Sequence, residues 1–176
     1  MNSARPQPSE YAPSFEAYVS RVAEGDVLSV LADQLTQFPK RFATLTESEG
    51  GFRYAPGKWT IKEVLGHVND SERIFAYRAL RIARADQAPL AGFEQEDYVR
   101  AAPFASCRVA DIVDEFRHVR RATLALFRPL DEAAWLRRGV ADNSEVTVRA
   151  LAFIIAGHLR HHAALLEERY LPALAR

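Results

Sequence analysis

The sequence predicts an all-α protein, a four-helix bundle with short extra helices in its loops. Four stretches repeat apolar residues at steps of three and four, no stretch alternates convincingly as a strand would, and there is neither an internal repeat nor a low-complexity tract. With 176 residues and 48% hydrophobic content, the chain suffices for one well-buried domain and is too short to expect two. The expected layout is a lead-in over residues 1–25, the bundle over 26–171 and a tail over 172–176.

Pro6, Pro8 and Pro13 predict an extended, unpacked start, followed by a short helical turn between Ser14 and Val22. Asp26 is a good N-cap for the first long helix, which would bury Leu28, Leu31, Leu35, Phe38, Phe42 and Leu45 and kink at Pro39. Two glycines and the pair Pro56-Gly57 make 47–59 a loop. Thr60 and Glu63 then match a capping box that opens a second helix, running to about Ala85. Its far half carries Arg73, Arg78, Arg81 and Arg84, which read as a solvated or ion-paired face. The connection over 86–106 is long for a bundle, with one helical turn at 95–98, and connections of this length often border a site. A third helix spans Val109 to Phe127, with Ile112, Phe116, Val119, Leu124 and Phe127 inward and Pro129 closing it. Asp131 caps a short helix to Leu136 that Trp135 anchors, 137–146 is a turn region, and Thr147 caps the final long helix.

That final helix holds three of the chain's five histidines. His158 and His162 stand four residues apart on its apolar stripe, so both imidazoles can point at one spot. Burying polar rings there is unfavourable unless their nitrogens find partners. A divalent metal is one partner that neutral imidazole suits, and a hydrogen-bonded polar core is the other. His161 lies on the other side of His158 from His162, and the pair 158/162 continues the better stripe. Two ligands rarely hold a catalytic ion, so a third must come from elsewhere. His67 is the best candidate, on a face of the second helix with Val64, Ser71 and Ile74; His118 lies in a charged run and reads as solvated. Ser71 and Glu63, each one turn from His67, are candidate supporting partners of the histidines or ordinary helix residues. Ligation by neutral imidazole would make metal affinity weaken below about pH 6.

Other residues carry blander readings. Cys107 excludes an internal disulfide, fits a reducing compartment and reads as a structural thiol rather than a nucleophile. Trp59 and Tyr54 read as packing or lid residues at a pocket mouth, and Phe75, Tyr77, Phe93 and Tyr98 as core packing or the walls of an apolar cavity. Zero formal net charge and the lack of a sustained basic face argue against a nucleic-acid partner. No apolar run reaches membrane-span length and the amino terminus has no hydrophobic signal core, so a soluble cytoplasmic protein is expected.

YAPGKWTIKEVLGHVNDSERIFAYRALRIAR at 54–84, RALAFIIAGHLRHH at 149–162 and the closing ERYL at 168–171 resemble the DinB/YfiT-like superfamily, and more closely its DinB-like subgroup. The likeness covers about 54–171 and, more loosely, the first helix. Its specificity lies in a combination: Trp59-Thr60 followed by Glu63 at a helix start, Gly66-His67 within that helix, and the late His158/His162 pair. The resemblance implies an up-down-down-up bundle, often a homodimer, with a divalent metal, typically zinc or nickel. Carried over by position, its three ligands are His67, His158 and His162. The family includes transferases and an isomerase that use a low-molecular-weight thiol, and metal-dependent hydrolases, all acting on small molecules. A divalent ion with one open position can activate a water or an external thiol, which suits a chain without a nucleophile of its own. The alternative is a non-catalytic helical binding or dimerisation module with a structural or vestigial metal. The family name records a response to DNA damage and gives no ground for a DNA partner.

Overall fold

The computed structural model describes residues 4–174; the outer ends of the expected lead-in and tail, 1–3 and 175–176, lie outside the described residues. Four long helices form the bundle: α1 (Val27–Phe42), α2 (Ile61–Ala83), α3 (Val109–Phe127) and α4 (Val148–Leu165). Three start on the caps read from the sequence. Asp26 accepts from the Leu28 amide, Thr60 and Glu63 cap each other, and Thr147 accepts from the Ala150 amide. Helix α3 has no side-chain cap of its own; instead the Glu47 carboxylate accepts from the Val109 amide at 3.0 Å.

Contacts between helices fix their directions. On α1 and α3, Gln34 meets Arg120 while Phe38 meets Phe116, so the two run antiparallel. On α2 and α3, Asn69 meets Ile112 and Glu72 meets Arg120, so they run parallel. His67 meets His158 and the Trp59 carbonyl meets Tyr170, which makes α2 antiparallel to α4. Gln34 meets Ala156 and Arg41 meets Glu167, which makes α1 parallel to α4. The result is the up-down-down-up bundle. It also explains the long connection: α2 is about 34 Å long at 1.5 Å per residue, and a parallel neighbour requires the chain to travel back that distance.

Several connections are more ordered than the sequence suggests. Within the expected loop 47–59, Glu47–Gly50 is a short helix with its own capping box, Thr46 and Glu49. Helix α1 passes through Pro39 and stops at Phe42, short of Leu45. The crossing segment forms a helix over Gln95–Ala101, longer than one turn. The turn region 137–146 is a β-hairpin, β1 (Arg138–Ala141) against β2 (Ser144–Thr147). Asp142 and Asn143 close it with φ of 52° and 57°, the two-residue left-handed turn that matches strand twist. Leu90 pairs with this hairpin through the Val140 carbonyl and the Asp142 amide, which pins the crossing segment. Beyond α4, the chain winds more widely as a π-helical turn over Leu166–Tyr170.

The start of the chain is packed, where its prolines predict an extended lead-in. Tyr11, Val19 and Val22 are buried in the core, and the Arg5 guanidinium ties back to the carbonyls of Val19 and Val22. Glu10 is buried against Arg149 and Thr147. Burial alone would raise its carboxyl, but the bonds from Arg149, the Gln7 amide and Thr147 outweigh it and hold the pKa below the ordinary value. Gly157 permits the closest approach: a Cβ there would lie 2.0 Å from the Tyr18 carbonyl oxygen. Segment 14–19 therefore lies flush on α4, a contact no apolar period announces.

One buried polar network joins all four helices. The Arg120 guanidinium, fully buried on α3, bonds both carboxylate oxygens of Glu72 on α2 at 2.7 and 2.8 Å. It also donates to Gln34 and the Leu31 carbonyl on α1, and Gln34 donates to the Ala156 carbonyl on α4. Burying this pair is tolerable because its polar atoms are engaged.

Candidate metal centre

Helix α2 supplies His67 and α4 supplies His158 and His162, all three buried at the middle of the α2/α4 contact. One ring nitrogen from each lies within 4.8 Å of the other two. The Nε2 atoms of His67 and His158 are 3.1 Å apart. That spacing suits an N–H···N hydrogen bond, and it is also near the roughly 3.3 Å expected between two nitrogens sharing a tetrahedral ion at about 2.0–2.1 Å. A closed polar core would leave no ring atom unpaired. Yet Nδ1 of His162 is buried without a hydrogen-bond partner among the described residues, as is Nδ1 of His161 beside the trio, a loss of roughly 1–3 kcal/mol for each orphaned polar group. The donor set of three nitrogens and no acid fits a divalent ion of borderline softness.

The electrostatics agree. Burial depresses all three imidazoles, with neighbouring histidines adding to the effect: His67 is pushed down to about 4, His162 to about 3, and His158 well below its ordinary value. At neutral pH the rings are uncharged, the form that donates an electron pair.

Ser71 is brought to the site, its hydroxyl 3.4 Å from Nδ1 of His67. Glu63 is turned away: its carboxylate accepts from the Thr60 amide at 2.6 Å. His161 is half-buried beside Tyr18, and His118 is exposed on α3. Cys107 bonds the Pro103 carbonyl away from the trio. Trp59 packs its ring 4.8 Å from that of His67 and donates to Glu96, while Trp135 stacks on Phe127. Two contributors are not apparent from the sequence. Tyr18 sets its ring edge-on to His158 at 5.2 Å, carried there by the packed start of the chain. Arg78, expected on a solvated face, is instead buried beside the site, whereas Arg73 and Arg81 pair with Glu115 and Asp86.

The trio is reached from two sides. A cleft of about 310 Å³ opens onto His67 and His158 between Phe15, Tyr18, Phe75 and Phe93. A second of about 230 Å³ reaches His162 between Tyr54, Trp59 and Tyr170, and Gln95 borders both. Tyr77 and Tyr98 are about half exposed, so of the four aromatics read as core only Phe75 is buried. Another cleft, between α1 and α4 at Gln34, Phe38 and Arg41, reaches none of the three histidines.

Fold and site together define a helical-bundle protein with an interior three-histidine cluster open to clefts of small-molecule size. The chain belongs to the DinB superfamily, whose family model matches residues 31–166. Among solved structures it is similar to YfiT from Bacillus subtilis, described as a probable metal-dependent hydrolase with an unusual four-helix bundle topology. That match has a TM-score of 0.70 and 16% identity over 96% of this chain and 95% of YfiT. It is also similar to the mycothiol-dependent maleylpyruvate isomerase, with a TM-score of 0.66 and 12% identity over 78% of this chain and 58% of the isomerase. At these identities the likeness is one of fold. A search of curated protein sequences gives no match.

Proposed function

We propose that this chain is a divalent-metal enzyme of the thiol S-transferase or hydrolase type, with His67, His158 and His162 as its metal ligands. The observation that carries the reading is the convergence of three buried, neutral imidazoles at a point that two clefts reach. Three protein ligands leave a coordination position open, as catalytic sites do and closed structural sites do not. A bound ion would supply Lewis acidity at that position. The protein's own part is to hold three neutral, buried donors at the end of these clefts. Ser71 sits beside the His67 ring, Tyr18 and Phe75 pack against His158 in T-shaped contacts, and Trp59 packs on His67.

Zinc or nickel suits the donor set, and two clefts meeting at the trio leave room for a substrate and a small thiol together. The thiol-dependent isomerase among the structural neighbours supports a thiol co-substrate, and the family resemblance is the ground for a cytoplasmic homodimer. Turnover tests the proposal. Metal-loaded protein is offered a panel of electrophiles with mycothiol or bacillithiol, and a panel of esters and amides with water, beside a His158→Ala variant. Activity that disappears with His158 is expected. A fully loaded chain inert to both panels would instead favour a binding module with a structural ion.

A further inference from the structure

Arg78 is a buried cation with no carboxylate in contact; Asp142 favours its charge only through space. Its residue is only 4% exposed, yet among the described residues no carboxylate lies within ion-pair distance of its guanidinium. The two other deeply buried arginines, Arg120 and Arg149, each hold a glutamate. Arg78 makes one hydrogen bond, from Nη2 to the Ala91 carbonyl at 2.7 Å. Nε and Nη1 bond nothing among the described residues and still touch solvent, since neither is among the sealed, unpartnered atoms. The guanidinium lies 5.9 Å from the ring centroids of both Phe75 and Phe93; it borders the cleft that leads to His67 and His158 and, on its other side, a cleft of about 370 Å³ beside Tyr77 and Arg81. A guanidinium remains charged when buried, and leaving it unpaired is unfavourable unless something arrives to pair with it.

Charge on the rest of the wall decides the sign of the visitor. Glu94 and Asp142 also border this cleft; both are exposed, which weakens them, and Asp142 still acts on Arg78 through space without contacting it. Three neutral imidazoles bring no negative charge to offset a divalent ion, so the floor of a loaded site is strongly positive. The remaining walls are aromatic, from Phe15, Tyr18, Phe75 and Phe93.

We propose that this cleft takes a small carboxylate with an apolar body, its carboxylate seated on the free nitrogens of Arg78 and its body among the aromatic rings. The apolar body separates a carboxylate from a free phosphate, which has none to place there. The inference rests on the metal-enzyme reading for its chemistry, while the seat itself consists of Arg78 and its neighbours.

Titration calorimetry with benzoate, its neutral isostere benzamide and inorganic phosphate tests the seat on the metal-loaded full chain. Benzoate is expected to bind at least tenfold more tightly than benzamide or phosphate. Arg78→Gln should remove at least tenfold of the benzoate affinity, and Arg78→Lys, which keeps the charge but not the planar fork, should lose several-fold. Benzoate affinity unchanged in a folded Arg78→Gln variant overturns the proposal, as does benzamide binding equally well. Phosphate binding as tightly as benzoate overturns the carboxylate assignment. Should Arg78→Gln fail to fold, the wild-type preference for benzoate over benzamide and the Arg78→Lys result decide the matter. Metal content measured on the same samples reports separately on the histidine reading: benzoate binding that follows Arg78 in a chain that takes up no metal on loading sinks that reading and leaves the seat standing.

Discussion

Replacing Arg120 with methionine should be among the most damaging single changes in this protein. The substitution removes two charge-assisted bonds to Glu72 and leaves that carboxylate buried and unpaired. It also strips a donor from Gln34 and from the Leu31 carbonyl. Breaking a buried pair from one side costs about 3–5 kcal/mol, on the order of 10 °C in Tm for a chain of this size. The double variant Arg120→Met, Glu72→Leu leaves no orphaned charge and should recover most of the loss. Because Glu72 lies five residues beyond His67 and Ala156 two before His158, the same network holds the two histidine-bearing helices in register. Metal dissociation should therefore accelerate in the single variant and slow again in the double. Urea unfolding of wild type, both singles and the double completes the cycle. A single-variant loss below about 1 kcal/mol, or a double as unstable as the two singles summed, would refute the reasoning.

Metal-free protein should lose stability as pH falls from about 6.5 toward 4. His67 and His162 have folded pKa values depressed to about 4 and about 3, so in this window the unfolded chain binds protons that the folded chain refuses. For His67 alone the loss is on the order of 3 kcal/mol; denaturation midpoints that stay flat between pH 7 and 4 would contradict it. Metal binding by the folded chain should accordingly weaken nearer pH 4 than the pH of about 6 expected from the sequence, because burial already holds these imidazoles neutral in that range; equilibrium dialysis from pH 7 to 4 checks it. Gly157→Ala drives a methyl into the Tyr18 carbonyl and should destabilise by about 1–3 kcal/mol, with residues 4–22 becoming open to limited proteolysis. Proteolysis unchanged from wild type would mean that this segment does not depend on the glycine.

The helices were legible because each carries an apolar period and three of the four add a cap of known type, as at Thr60/Glu63 and Thr147. The histidine trio was legible for a related reason. A pair at i, i+4 on an apolar stripe shows its shared direction without coordinates, and His67 sits on the one other helix with a histidine facing inward. What escaped depends on contacts distant in sequence. Arg120 lies in the charged run EFRHVRR, where nothing local distinguishes it from its exposed neighbours, and its partner Glu72 is 48 residues away. Arg78 looked like one more solvated arginine for the same reason. The hairpin at 138–147 carries a local signal, Asp142-Asn143, that its short flanking strands diluted. Tyr18 reaches His158 only because Gly157 lets backbone approach backbone, which no periodicity encodes.

X-ray absorption at the metal edge of chelator-free, metal-loaded protein tests the three-histidine site most directly. If the ion is zinc, the expected spectrum has three imidazole nitrogens at about 2.0–2.1 Å with one oxygen ligand completing the set, and the His158→Ala variant should lose both the ion and the imidazole signature. An oxygen-dominated environment, or a spectrum unchanged by removing His158, would place the metal elsewhere and contradict the site.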